Sequence, residues 1–362
     1  MIIVAKIGTS SITDDAGTID EPAIAKFCAE VAALRTAGHQ VVMVTSGAIA
    51  AGLPSLDFAE RPRDAVTLQA VSAVGQSRLM AVYDRELARH DLIGGQVLLA
   101  PLDFMVREQY LHARGTITRL VDLGVVPVVN ENDAIADDEI RFGDNDRLAA
   151  LVAHLIRADL LVLLTDMPGL LSADPRLHED ASLIEEIIEV DQGLEALAGG
   201  AGSDRGSGGM ASKLAAAKIA AWSGVRAIIA AAHRDDVLVD AVNGTSGVGT
   251  TVQPRIDRLP ARKLWIAFAV GSSGTVVVDD GARQALIDRG VSLLPAGVVD
   301  AKGGFGANSA VEVVGPDGAV FAKGLVRYDA ADLRAAAGKR TADLAEGAPH
   351  EVIHRDDLVV LP

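Results

Sequence analysis

The chain opens on a short apolar run at residues 2–5, and similar runs return at 41–44, 96–99, 125–129, 160–164 and 227–230. Short β-branched runs without polar alternation mark strands buried on both faces of a parallel sheet. Between them lie longer helix-like stretches at 23–37, 65–89, 113–123, 147–156 and 210–223. This repeated alternation predicts an α/β domain: a mainly parallel sheet flanked by helices.

The alternation breaks at 251–263, a stretch containing Pro254, Pro260 and several basic residues. Such composition marks a linker or a domain boundary. Beyond it come short strand candidates at 265–270, 275–278, 310–314 and 320–322, Gly-rich turns, and one helix at 282–289. A small, mostly β second domain is expected. The division drawn is 1–255, a linker at 256–263, and 264–362, which suits a length of 362 residues. In the last stretch, 358–360 reads as a strand.

Hydrophobic residues at 49% and charged residues at 23% supply enough material for buried cores and exclude wholesale disorder. Lys and Arg total 33 against 49 Asp and Glu, a formal charge of -16. That balance repels a nucleic-acid backbone, so any anionic ligand must be held by local backbone N–H groups and a few lysines. The single cysteine, Cys28, forms no intramolecular disulfide and suits core packing in a reducing, cytoplasmic setting. The opening run is too short for a signal-peptide core, and no apolar run approaches the ~18 residues of a membrane span.

Ligands of open α/β sheets bind where strands end, which directs attention to four loops. Lys6 is followed by Gly8, Thr9, Ser10 and Ser11 after the first strand, a lysine beside small groups that admit phosphate oxygens. A polar turn with a snorkelling lysine fits the same residues. Thr45, Ser46 and Gly47 end the second strand, and Ser46 reads either as part of an anion site or as a helix N-cap. Asn130, Glu131, Asn132 and Asp133, with Gly143 to Asp146 a little later, crowd more amides and carboxylates after one strand than a cap requires. They suit a ligand with carboxylate and ammonium ends, although Asp146 also stands where a helix cap would. Finally, Gly206 to Lys213 is a glycine loop opening a helix with a lysine in its first turn, which reads as a phosphate cradle or as a surface loop. Thr165 and Asp166 after the fifth strand offer a further nucleotide contact or a tight turn before Pro168 and Gly169.

Two motif matches lack their context. Gly206, Gly208 and Ala211 fit a relaxed dinucleotide pattern, but no strand immediately precedes them. His350, Glu351 and His354 fit H-E-x-x-H, which binds zinc only on a helix; the segment reads as strand, and no metal site is expected there.

Taken in order, 6–10, 44–52, 73–77, 129–133, 143–146 and 163–166 resemble the amino acid kinase family, over nearly the whole chain. The likeness is greatest to members that phosphorylate the γ-carboxylate of L-glutamate, the first step towards proline. The resemblance implies ATP and Mg²⁺, with Lys6 and Lys213 neutralising the transferred phosphoryl group and Asp146 holding both lysines. It implies Ser46, Asp133 and Asn145 as glutamate-binding residues. Lys6, Thr165, Asp166, Ser207, Gly208, Gly209, Met210, Ala211, Ser212 and Lys213 would bind ATP. The acceptor carboxylate is already ionised at neutral pH, so no general base is needed. A homo-oligomer, dimer or tetramer, and coupling to the reductase that consumes a labile acyl phosphate are further family expectations. Same-fold alternatives would use aspartate, N-acetylglutamate, carbamate or a nucleoside monophosphate.

The second domain resembles a PUA domain through Asp279, Gly281, Ala282, Gly290, 292–297, Gly303, Phe305, Gly324 and Tyr328. PUA domains elsewhere bind RNA. Here 272–347 carries eight Lys and Arg against ten Asp and Glu, and Asn308, Ser309 and Ala310 replace the family's Gly-acidic turn. A structural or regulatory role is expected instead. A smaller departure is Ser207 in place of the usual threonine.

Overall fold

A computed structural model describes residues 1–14, 16–58, 60–135, 145–174, 178, 180–199, 209–344 and 347–361. The chain divides into two compact units, Met1–Arg258 and Leu259–Pro362.

In chain order the first unit contains β1 (Ile2–Ile7), α1 (Glu21–Thr36), β2 (Gln40–Val44), α2 (Ala48–Gly52), α3 (Ala65–Ala88), β3 (Gly94–Leu99), α4 (Leu102–Met105) and α5 (Arg107–Asp122). It continues with β4 (Val126–Glu131), α6 (Asn145–Leu155), β5 (Leu160–Thr165), β6 (Glu186–Ile187), α7 (Gln192–Ala198), α8 (Met210–Trp222), β7 (Arg226–Ala231), α9 (Val237–Asn243) and β8 (Gly249–Val252). The eight strands form one sheet in the order β3-β4-β2-β1-β5-β7-β8-β6. The six predicted strands are all present and run parallel to one another. Beyond the predicted set, β8 runs antiparallel to β7 and includes Thr251 and Val252, while β6 adds a two-residue edge beside it.

Side-chain alternation along β1 decides what each face of the sheet receives. Ile3, Ala5 and Ile7 enter a core with Ile24, Phe27, Cys28 and Val31 of α1 and Leu79 and Tyr83 of α3. Lys6 points the other way, towards α6 and α8. Burial pushes the Cys28 thiol up to about 12, with a contribution from the nearby Glu86 carboxylate. Helices α1 and α3 begin under the side chains of Asp20 and Asp64, which accept from the N–H groups of Ala23 and Thr67.

Helix α1 also contacts the segment that follows β7. Its Lys26 ammonium donates to Glu30 one turn on and to the carbonyls of Ala232 and Arg234 after β7. The second oxygen of Glu30 accepts from the Leu238 N–H in the first turn of α9 at 2.8 Å.

The second unit contains α10 (Ala261–Leu264), β9 (Gly274–Val278), α11 (Asp280–Arg289), β10 (Val298–Gly303), β11 (Ala310–Val314), β12 (Val320–Leu325), α12 (Ala330–Ala336) and β13 (Leu358–Val360). Its sheet has the order β10-β9-β11-β12-β13, with β9 and β11 parallel and the other neighbours antiparallel. Val276, Val278, Leu286, Val311, Val313, Leu333 and Val352 share its core.

One predicted strand is corrected: Trp265–Ala269 is a π-helical turn continuing from α10, closed by a Val270 N–H donating to the Trp265 carbonyl. Leu264 donates its N–H to the Pro260 carbonyl, and the intervening Ala, Arg and Lys favour helix. Both Leu264 and Ile266 are buried, so the apolar run satisfies a helical face instead of a strand. The H-E-x-x-H segment is not helical; Ile353 makes an isolated antiparallel bridge with Leu293.

Candidate active site

Three elements end at one buried carboxylate. Lys6 near the end of β1 forms a salt bridge with Asp146 Oδ1. Lys213 in the first turn of α8 lies 3.2 Å from Asp146 Oδ2, which also accepts from the Ser212 hydroxyl at 3.2 Å. All three charged residues are at most 5% exposed. The capping reading of Asp146 is therefore superseded: it lies inside the first turn of α6, and its side chain engages two lysines. Burying such charges is tolerated only when they are paired and hydrogen-bonded, so Asp146 keeps two ammonium groups inside the fold.

Next to it, Asn145 Nδ2 points at the Thr45 carbonyl (2.6 Å), the Ser46 hydroxyl (2.9 Å) and Asn130 Oδ1 (2.7 Å). Ser46 is thus not the cap of α2; Gly47 occupies that position with φ +98°. A Cβ at Gly47 would also come within 2.9 Å of Ile12 Cδ1, so glycine suits this turn for both reasons. Helix α2 then packs directly on α3, with Gly52 facing Val71 and Gly75 facing Ala48.

Asp133 follows β4 in a 3₁₀ turn and accepts from the Ser72 hydroxyl of α3 at 2.8 Å. Asp133, Ser72, Gln76, Gln96, Glu131 and Asn132 line a cavity of about 260 Å³. At the end of β5, the Thr165 hydroxyl donates to Asp166 Oδ1 at 2.9 Å. Both residues border a second cleft of about 420 Å³ that includes Ser10, Ser11, Lys26 and His233. Gly209 is the N-cap position of α8, with half-buried Met210 and exposed Ala211 in its first turn, and Ser212 donates to the Gly209 carbonyl at 2.8 Å. Ser207 and Gly208 lie outside the described residues, as do Gly143, Asp144 and Gly206.

The structure joins Lys6, Asp146, Lys213 and Ser212 in direct contact, and links Ser46 to Asn145. Thr165 and Asp166 stand at a separate strand end. Four polar partners carried no individual role in the sequence reading: Ser72, Gln76, Tyr83 and Thr45. The first three sit on α3 at positions 72, 76 and 83, a spacing that places them along one helix face.

Residues 1–231 match the amino acid kinase family and residues 274–347 match the PUA domain. The chain belongs to the amino acid kinase family. Over 363 aligned positions it is 45% identical to glutamate 5-kinase from Burkholderia lata, covering 99% of this chain and 97% of that protein. The same figures hold for glutamate 5-kinase from Ralstonia nicotianae. Among solved structures, the carbamate kinase from Giardia lamblia bound to AMP-PNP aligns with a TM-score of 0.52 at 18% identity, covering 70% of this chain and 98% of that one. The isopentenyl phosphate kinase of T. acidophilum aligns at 0.50 and 18%, covering 70% and 100%. These two structures share the fold of the first unit, and the kinase family accounts for ATP as co-substrate.

Proposed function

We propose that the chain transfers the γ-phosphoryl group of ATP to the γ-carboxylate of L-glutamate, giving L-glutamyl 5-phosphate, the first committed intermediate towards proline. The observation that carries this reading is the pairing of Lys6 and Lys213 on Asp146, set in a chain 45% identical to glutamate 5-kinases along its length. Phosphoryl transfer is catalysed chiefly by positioning and by stabilising charge on the transferring group. Two buried ammonium groups on one rigid carboxylate suit that task.

In this reading ATP is taken as its Mg²⁺ complex, the metal arriving with the nucleotide. Lys6, Thr165, Asp166 and the loop from Ser207 through Gly208, Gly209, Met210, Ala211 and Ser212 to Lys213 hold the nucleotide. Ser46, Asp133 and Asn145 hold the amino acid. The glutamate γ-carboxylate attacks in its ionised form, so no side chain has to remove a proton. The product is a labile acyl phosphate. A cytoplasmic homo-oligomer, dimer or tetramer, acting beside the reductase that consumes this product belongs to the same proposal, with a structural or regulatory role for the PUA domain. The described residues include no helix long and apolar enough to cross a membrane.

Hydroxylamine trapping tests the reaction directly. With ATP and Mg²⁺, L-glutamate should yield γ-glutamyl hydroxamate, while L-aspartate and N-acetyl-L-glutamate yield little. Absence of the glutamyl product, or a stronger signal from another acid, would overturn the assignment.

A further inference from the structure

Helix α3 buries a polar stripe where a core stripe is ordinarily apolar. Ser72, Gln76 and Tyr83 are all buried, and each hydrogen-bonds a residue at the end of β2 or of β4. The Ser72 hydroxyl donates to Asp133 Oδ2 at 2.8 Å, and Gln76 Oε1 accepts from Asn130 Nδ2 at 2.8 Å. The Tyr83 hydroxyl lies 2.7 Å from Thr45 Oγ1. Asn130 Oδ1 in turn faces Asn145 Nδ2, so one helix face orders the residues around Thr45, Asn130, Asp133 and Asn145 together.

Ser72 departs furthest from helical habit. A helical Ser or Thr hydroxyl commonly turns back to the carbonyl four residues earlier, as Thr36 does to Ala32 and Ser223 to Ile219 in this chain. Ser72 instead crosses to a carboxylate 61 residues away in sequence. Both partners line the 260 Å³ cavity, together with Gln76 and Gln96. A hydrogen bond to an ionised acceptor is among the stronger ones available to a side chain, and it fixes the direction in which the carboxylate faces.

We propose that Ser72 is a positioning residue: its hydroxyl holds the Asp133 carboxylate in the orientation that receives the ammonium group of the amino-acid acceptor. This inference rests on the reading of the chain as a glutamate kinase. In this role Ser72 acts on acceptor recognition through Asp133 and leaves phosphoryl transfer to the lysines. Gln76 supports the neighbouring Asn130 from the same face.

The test is a comparison of wild type, Ser72→Ala and Ser72→Thr in the hydroxamate assay, with glutarate as a competitive inhibitor. Glutarate keeps both carboxylates of glutamate and lacks the ammonium group. Ser72→Ala should raise KM for L-glutamate by roughly ten-fold, with kcat within about two-fold and Ki for glutarate unchanged. Ser72→Thr, which keeps the hydroxyl, should restore KM. An unmoved KM in an active Ser72→Ala variant would overturn the inference. So would a parallel rise in KM and in Ki for glutarate, because that is the mark of a pocket deformed as a whole. If Ser72→Ala fails to fold, the Ser72→Thr variant decides: a KM raised as far as an Asp133→Ala variant raises it would refute the role of the hydroxyl. Wild type without turnover on glutamate would instead defeat the glutamate reading, and with it the premise used here.

Discussion

Lys6 and Lys213 lie 207 residues apart in the sequence and share one carboxylate, Asp146, on its two different oxygens. Each lysine thereby has its ammonium group fixed by a partner that is itself fully buried. The arrangement supports a division of labour in which the lysines meet the phosphoryl group and Asp146 sets their spacing.

Lys213→Ala should therefore lower kcat by at least about 10²-fold while KM for L-glutamate stays within about three-fold. Steady-state hydroxamate kinetics check both numbers. A variant with near-normal kcat would remove Lys213 from the proposed chemistry.

Asp146→Ala should act on the fold as well as on turnover. Removing one partner of a buried ion pair is expected to destabilise by roughly 3–5 kcal/mol, since both buried ammonium groups lose the carboxylate between them. Urea unfolding of Asp146→Ala against wild type measures this. A stability within 1 kcal/mol of wild type, taken roughly as the scatter of such measurements, contradicts the pairing seen here.

Gly75→Ala is expected to be destabilising despite the small change. A Cβ at position 75 would lie 1.8 Å from the Ala48 carbonyl oxygen and 2.5 Å from the Gly52 backbone nitrogen. Backbone cannot yield as a side chain does, so α2 and α3 must separate, at a loss of about 1–3 kcal/mol or more. A shift in the midpoint of denaturation checks it, and KM for glutamate should rise in step because α2 carries the Ser46 turn.

His154 predicts a pH dependence of stability. Burial, followed by the guanidinium groups of Arg157, Arg258 and Arg114, pushes its imidazole down to about 4 from 6.5. Above pH 6.5 both folded and unfolded chains carry it neutral, and it has no effect on stability. Between about 6.5 and about 4 the unfolded chain takes up the proton that the folded chain refuses, so stability falls as pH falls. The loss between pH 7 and pH 5 should be smaller in His154→Gln than in wild type, measured by denaturation at each pH. Equal losses would mean that other groups account for the acid sensitivity.

How much of this was legible in the sequence varies by residue for identifiable reasons. Lys6 was legible as a charge at the end of the first apolar run, but the sequence places it in the following loop, whereas it pairs within β1 and turns to Asp146. Ser46 and Asp146 each had a capping explanation that local sequence could not remove; only the long-range bonds from Asn145 and from the lysines decide between them. The α3 stripe was less visible still. Ser72 and Gln76 look like surface positions in a helical pattern, and their burial goes with partners far off in sequence, Asp133 just after β4 and Asn130 within it. Trp265–Ala269 was misread because five apolar residues satisfy a strand and a helical face equally well. The antiparallel β8 is four residues long with two threonines and a glycine, too short for its period to announce a strand.

The position of β1 in the sheet has a consequence for how the molecule comes into being. The strand of this sheet that comes first in the sequence is an interior one, paired on one side with β2 and on the other with β5, which ends 158 residues after β1 does by the span from Ile7 to Thr165. Its far edge stays unpaired until that later half is made, and the Lys26 and Glu30 contacts of α1 wait longer, for residues 232–238. Such non-local closure makes folding slow and leaves an apolar strand edge open to other chains meanwhile. A chain that ends before β5 thus keeps that strand edge exposed, whereas the finished sheet covers β1 on both sides.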